Sequence, residues 1–249
     1  MSGHSKWSTI KRAKGATDAK RGQLFTKLAR EITVAARSGI ADPEANGRLR
    51  LAVQKARSEN MPRDNIERAI ERASTAGVGS NYEEITYEAF MPGGIAVIIN
   101  AMTDNRNRTV GEVRSTITRG GGNLGADGSV AWMFDSVGQI SLKPTGMESD
   151  EVALVAIDAG ALDIESDDES TVVFTESQDL HKVSEALTEA GLEVESSELV
   201  MKAKELIAPE SEQAVRLIRL IEKLEDLDDV QTVFSNLEVT DEVFAQVSA

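Results

Sequence analysis

Residues 139–201 read QISLKPTGMESDEVALVAIDAGALDIESDDESTVVFTESQDLHKVSEALTEAGLEVESSELVM, and the periodicity of this stretch decides the fold. Gln139–Leu142 reads as a strand, Ser149–Ala159 repeats its apolar residues at helical spacing, and Leu162–Glu165 and Thr171–Thr175 return to strand spacing. Asp179–Ala190 then sets Leu180, Val183 and Leu187 on one helical face, and Leu192–Met201 closes the set as a strand. Strand–helix–strand–strand–helix–strand is the ferredoxin-like order.

Upstream of it the pattern is similar but incomplete. Glu84–Met91 alternates like a strand, Pro92-Gly93-Gly94 makes a turn, and Ile95–Ala101 is a β-branched run suited to a buried strand. Thr109-Val110-Gly111-Glu112 spells a capping box that opens a helix with Val110, Val113 and Ile117 inward. A glycine-rich connection, Gly120 to Gly128, leads to a strand-like Ser129–Asp135. This unit lacks one helix and one strand. The tail supplies both: a helix over Ser211–Leu227 after Pro209, and a strand over Val230–Leu237. The expected arrangement is therefore a discontinuous middle domain, 81–136 plus 206–249, carrying an inserted acidic domain, 137–205.

The N-terminal third is helical. Asp18 to Ser38 carries Leu24, Phe25, Leu28, Ile32, Ala35 and Ala36 in one arc, with Lys20, Lys27, Arg30 and Arg37 on an adjacent arc. Asn46–Ser58 is a second helix, and Pro62 fits the first turn of a third, in which Ile66, Ala69, Ile70 and Ala73 recur. The fold class is α+β in three domains. An all-helical basic domain, 1–80, precedes two α/β, ferredoxin-like domains, one inserted in the other.

Composition narrows the function. Of 249 residues 41% are apolar, enough for ordinary cores, yet the longest apolar run, Gly94–Met102, has nine residues, where a membrane helix needs about 20. The opening MSGHSKWSTIKRAKG has no apolar segment of a secretory signal. Without cysteine there are no disulfides, thiolate nucleophiles or Cys-ligated metals. These features point to a cytoplasmic protein.

The net charge of −15 argues against a nucleic-acid partner until it is sorted by position. Residues 1–80 hold 16 Lys/Arg and 8 Asp/Glu, a net of +8; residues 81–140 carry −3 and residues 141–249 carry −20. Between residues 1 and 30 there are eight Lys/Arg against Asp18 alone. A solvated face in an acidic protein normally mixes signs, so this segregation points to a polyanionic partner. The candidate contacts are Lys6, Lys11, Arg12, Lys14, Lys20, Arg21, Lys27 and Arg30. Trp7 either stacks on a base or anchors the arm in a core.

A second candidate is Thr103-Asp104-Asn105-Arg106-Asn107-Arg108-Thr109. Arg106 and Arg108 stand just before a helix start, where backbone N–H groups favour anions, so the loop is either an anion clamp or a structural loop closed by Asp104. Other chemistry is poorly supplied. His4 and His181 have no partner at metal-ligand spacing, and His181 reads as a solvated helix residue. Asp167-Asp168-Glu169 and Asp226–Asp229 match no calcium loop and read as solubilising turns. Gly120, Gly122 and Gly125 spell GxGxxG, but after a helix and before a strand, the reverse of what dinucleotide binding needs. No cofactor, no metal and no enzymatic activity are expected.

Gly3-His4-Ser5-Lys6-Trp7, Arg21-Gly22, Asn46-Gly47-Arg48-Leu49-Arg50, Asn60-Met61-Pro62, Pro92-Gly93-Gly94, the Thr103–Thr109 segment and Gly128-Ser129-Val130 resemble the YebC family. That family also contains the mitochondrial translational activator of cytochrome oxidase. The resemblance implies a three-domain, cytoplasmic non-enzyme, described in bacteria as a DNA-binding transcriptional regulator. A related description makes members ribosome-associated translation factors that help at difficult sequences such as proline runs. In that case the basic arm grips ribosomal or transfer RNA and the acidic domains face basic ribosomal proteins. Carried onto this chain, the resemblance assigns nucleic-acid contact to the arm and to Arg106 and Arg108. One departure is Ala89-Phe90-Met91, where the family commonly has Gly-Tyr/Phe-Gly; two lost glycines stiffen that hairpin.

Overall fold

The computed structural model describes residues 18–74, 82–166 and 170–248. Among the described residues, three helices come first: α1 (Asp18–Arg37), α2 (Gly47–Ser58) and α3 (Arg63–Ser74). Leu28 and Ile32 of α1, Leu49 and Val53 of α2, and Ile66 and Ala69 of α3 share one buried cluster. Asn46 caps α2 by accepting a hydrogen bond from the Leu49 N–H, as short polar residues do at helix starts.

Then follow β1 (Glu83–Met91), β2 (Ile95–Thr103), α4 (Arg106–Arg119), β3 (Asn123–Leu124), β4 (Phe134–Leu142), α5 (Ser149–Ala159), β5 (Asp163–Ser166) and β6 (Thr171–Glu176). The chain ends with α6 (Leu180–Glu189), β7 (Val194–Ala203), α7 (Ser211–Glu225), β8 (Val230–Ser235) and α8 (Asp241–Ser248). Two antiparallel four-stranded sheets result, ordered β3-β1-β2-β8 and β5-β6-β4-β7. The second is the ferredoxin-like order read from residues 139–201.

The sheets stack. Ile95, Val97 and Ile99 of β2 pack with Val113 and Ile117 of α4 and with Leu217 and Ile221 of α7. The alternate residues Ala96 and Ile98 meet Val137, Phe174 and Val200 of the other sheet. The far face of that sheet, with Ile140 and Val173, is covered by Val152 of α5 and Val183 of α6. The order is helices, sheet, sheet, helices, and β2 is buried on both faces, which is why its sequence is almost unbroken apolar.

Three local expectations change. Ser129–Asp135 is not one strand: Ala131–Met133 forms a single 3-10 turn, and β4 begins at Phe134, so the strand spans the 136/137 boundary read from the sequence. The strand that joins the first sheet is instead Asn123–Leu124, inside the glycine-rich connection, paired with Ala89 and Phe90. Helix α4 starts at Arg106 with Asn105 as its cap, which leaves Thr109 buried within the helix rather than at its start. Ala89 and Met91, the departures from the family pattern, are both core residues; Met91 fills the space facing Gly122, where a Cβ would overlap its sulfur.

Two buried carboxylates organise the turns. Glu88 accepts hydrogen bonds from the Gly128 N–H (2.6 Å), the Val130 N–H (2.6 Å) and the Ala131 N–H (2.9 Å). These donors hold the chain in a turn before β4. Burial alone would raise the Glu88 pKa, but the backbone N–H groups of Val130, Gly128 and Ala131 outweigh it and hold it below the usual range.

Asp229, at the start of β8, is 2% exposed. Its Oδ2 accepts from the hydroxyls of Thr109 (2.7 Å) and Thr103 (3.0 Å) and from Arg108 Nη2 (2.7 Å), while Arg30 Nη1 lies 3.2 Å from Oδ1. Burial would raise this carboxyl too, but Arg108, Thr109 and Thr103 lower it further than burial lifts it. The Asp226–Asp229 cluster is therefore no solubilising turn at its last member. It is the buried junction of α1, the β2–α4 turn and the α7–β8 turn.

Both groups contribute stability above the unfolded-chain pKa that is lost as the pH falls through their lower folded values. Urea midpoints should stay level from about pH 7 to 5 and fall below about pH 4. Asp229→Asn should cost about 3 kcal/mol at pH 7, because two guanidinium groups lose their buried partner, and should flatten the acid limb. Glu88→Gln should cost about 1–3 kcal/mol, since an amide nitrogen then faces backbone donors. An unchanged urea midpoint in either variant would refute the role given to that carboxylate.

Candidate nucleic-acid interface

The sequence places four cations on one flank of α1, and the structure divides them. Lys20, Gln23, Lys27 and Arg30 recur at 3–4 spacing and face the α7–β8 turn. Lys20 lies 3.8 Å from Asp226, and Gln23 donates to the Asp226 carbonyl at 2.6 Å and to Asp228 Oδ1 at 3.1 Å. Lys27 donates to the Glu225 carbonyl, the last residue of α7, where the helix dipole favours a cation. Arg30 reaches the carbonyls of Met102 (2.9 Å) and Asp228 (2.9 Å) besides Asp229, and its guanidinium stacks 4.9 Å from the Tyr82 ring. Lys27 and Arg30, read as nucleic-acid contacts, thus direct their charge into the protein.

Helix α2 behaves likewise. Arg48 pairs with Glu84 of β1, and Lys55 lies between Glu31 (3.7 Å) and Glu198 of β7 (3.6 Å). Burial would lower the Lys55 pKa, but the two glutamates raise it above its ordinary value. Arg50 donates to the Pro43 carbonyl (3.0 Å) and meets His181, which also lies 3.4 Å from Glu185, so this histidine is engaged between two charged groups rather than simply solvated. Much of the basic charge of the N-terminal domain therefore docks that domain on the acidic remainder.

The arginine loop resolves the same way. Arg108 binds Asp229 and Asp104 (2.8 Å), and both interactions raise its pKa and fix its charge. Asn105 takes the Arg108 N–H at 3.1 Å, so the start of α4 is capped by its own side chain. Arg106 remains exposed, 3.5 Å from Glu83. The loop is structural at Arg108 and open at Arg106.

A different surface gathers the outward cations. Between α1 and α3 runs a groove of about 540 Å³ lined by Phe25, Thr26, Arg37, Asn65, Arg68 and Arg72, with Tyr82 at one side. Arg68 and Arg72 are one helical turn apart, and Arg68 is oriented by the Asn65 side chain (2.7 Å) and the Asp64 carbonyl (3.0 Å). Phe25 is half-buried, with the Arg21 guanidinium 5.9 Å from its ring centre. Arginines around an aromatic floor suit a phosphate with its neighbouring base. The sequence reading missed Arg37, Arg68 and Arg72 as a group. The signal lay in Arg68 and Arg72 at i, i+4 beside the inward Ala69 and Ala73. Lys6, Trp7, Lys11, Arg12 and Lys14 lie outside the described residues.

The chain is similar to known proteins along nearly its whole length. Residues 5–76 match the TACO1/YebC protein N-terminal domain, and residues 82–237 match the TACO1/YebC second and third domain. A "probable transcriptional regulatory protein" of Roseiflexus castenholzii is 54% identical over 252 residues, covering 99% of this chain and 98% of that one. One of the same name from Chloroflexus aggregans is 53% identical over 246 residues, covering 98% of each. The crystal structure of a conserved hypothetical protein from Aquifex aeolicus superposes with a TM-score of 0.81 at 43% identity, over 89% of this chain and 91% of that one. On domain content, sequence identity and fold together, this chain belongs to the TACO1/YebC family.

Proposed function

We propose that this protein is a cytoplasmic, non-enzymatic regulator of gene expression that acts by binding nucleic acid through its N-terminal domain. The observation that carries this reading is the α1–α3 groove, where Arg68 and Arg72 stand with Arg37 around Phe25. In a chain of net charge −15, it is a basic surface that faces outward rather than toward the acidic domains. The sequence before α1, with Lys6, Lys11, Arg12 and Lys14 near Trp7 in the chain, adds further positive charge to this domain. The names borne by the relatives make DNA the first partner to test.

One feature favours RNA in a translation setting instead. Helix α2 is committed to β7 and β1 through Lys55 and Arg48, so the α2–α3 pair does not present a free helix to a major groove. An aromatic floor among arginines suits an unpaired base better than a duplex edge.

Fluorescence anisotropy with a labelled 20-base-pair duplex and a 20-nucleotide RNA tests both. About six phosphates neutralised give a log–log salt slope of roughly −5 on duplex and roughly −4 on a single strand. Arg68→Ala with Arg72→Ala should weaken binding about tenfold or more and make the slope shallower by about one for each arginine removed. A wild-type slope near zero would sink the reading. A sucrose gradient of lysate, with and without nuclease, then separates the settings: migration with ribosomal particles indicates translation, and a soluble profile with sequence-dependent duplex binding indicates transcription.

A further inference from the structure

Residues 205–249 hold eleven Asp/Glu and only three Lys/Arg: Arg216, Arg219 and Lys223. The three fall at i, i+3 and i+7 of α7, which places them on one face of the helix. That face is not the one carrying Leu217, Leu220 and Leu224 into the core. All three cations line a groove of about 760 Å³ between α7 and the end of α4, and Arg119, the last residue of α4, lines it too. Gly120 makes this possible. A Cβ there would overlap the methyl groups of Leu220, so glycine lets the end of α4 settle onto α7 without displacing that side chain and brings Arg119 beside the row.

The groove has polarity along its length. At the α7 N-terminal end, Glu210 and Glu212 line it, and Glu212 pairs with Arg216 at 3.2 Å. Toward the other end, Arg119, Arg219 and Lys223 are exposed and make no ion pair among the described residues. This contrasts with α1, α2 and the arginine loop, where the buried and half-buried cations are engaged with carboxylates or carbonyls. Three exposed cations gathered against a local excess of acids repel one another, and an anion relieves that repulsion.

We propose that Arg119, Arg219 and Lys223 form a phosphate-binding groove that takes consecutive phosphates of a nucleic-acid strand, as a second binding surface on the middle domain. Arg219 and Lys223 stand one helical turn apart, about 5–6 Å between Cβ atoms, which is comparable with the reach between neighbouring phosphates of one strand. Arg119 supplies a planar fork that can hold one phosphate through two N–H groups. Position supports a shared strand. Asp226, three residues after Lys223, holds Lys20 near the start of α1, so this groove and the N-terminal domain meet at one end of α7. The site itself rests on its own cations; assigning it to the same strand rests on the nucleic-acid reading above.

The test uses the full chain with Arg119→Ala, Arg219→Ala and Lys223→Ala combined. All three residues are exposed, so the thermal midpoint should be unchanged. Against a labelled 20-nucleotide RNA, and a DNA of the same sequence, affinity should fall at least tenfold at low salt and the slope should become shallower by about two. The charge-retaining set Arg119→Lys with Arg219→Lys should restore most of the binding. Arg68→Ala and Arg72→Ala, combined with Lys6→Gln, Lys11→Gln and Lys14→Gln, test the N-terminal reading separately. If only the groove variant weakens binding, the groove stands and the N-terminal reading fails. If only the N-terminal variant does, and calorimetry with inorganic pyrophosphate is also unaffected by the groove variant, the groove proposal is overturned. Loss of pyrophosphate binding with unchanged oligonucleotide affinity overturns the assignment to a nucleic-acid strand and leaves a site for a free phosphate compound.

Discussion

The carboxylate of Asp229 accepts hydrogen bonds from Arg30 of α1, from Thr103 at the end of β2, and from Arg108 and Thr109 of α4, while its own backbone leads into β8. Three stretches of chain separated by 73 to 199 positions therefore converge on two oxygen atoms. A buried ion pair of this kind adds little net stability over an apolar packing of the same volume, because desolvation offsets the attraction. Its value lies in specificity. Arg30 reaches this carboxylate and the Asp228 carbonyl together, so it ties the first helix to the turn before β8 at two points. The Met102 carbonyl, which also accepts from Arg30, extends that constraint into β2 itself.

Around this junction the charge asymmetry divides into two tasks. Lys20, Lys27, Arg30, Arg48 and Lys55 meet acidic or carbonyl groups of the remainder, and they explain much of why a +8 segment accompanies an acidic one. Arg68 and Arg72 make no such contact with the acidic remainder and instead line the groove between α1 and α3. The exposed docking pairs, such as Lys20–Asp226, weaken with salt, whereas Arg30–Asp229 is shielded from it. Raising the salt therefore loosens the edge of the docking surface before its centre.

The sequence made the architecture legible where periodicity is long. The alternation of strand and helix over 139–201, the apolar β2, and the tail needed to complete the middle sheet all follow from patterns several residues wide. It failed where a short segment obeys a distant side chain. Ser129–Met133 looks extended but turns because Glu88, some 40 positions earlier, binds its N–H groups. Thr109 has the spelling of a cap, yet its hydroxyl serves Asp229, 120 positions away. A helical projection of α1 separates Lys27 and Arg30 from the apolar arc, but it carries no information on whether that flank faces water or the end of α7. The basic row of α7 was equally visible in spacing, and it needed Arg119 from another helix to become a groove.

The place of β8 in the first sheet has a consequence for synthesis. Strand β2 pairs with β1 at once, because Pro92-Gly93-Gly94 joins them, but its other edge is completed by Val230–Ser235. At ribosomal speeds of about 5–20 residues per second, the intervening 126 residues take on the order of ten seconds to appear. For that interval a nine-residue apolar strand presents an open edge, the kind of template on which nascent chains aggregate. The inserted sheet, contiguous from Phe134 to Ala203, is complete in sequence before β8 emerges and can cover the Ala96–Ile98 face in the meantime. Placing one sheet within the sequence of the other thus works here as an order of assembly: one face of the late-closing sheet is covered by the sheet that finishes first.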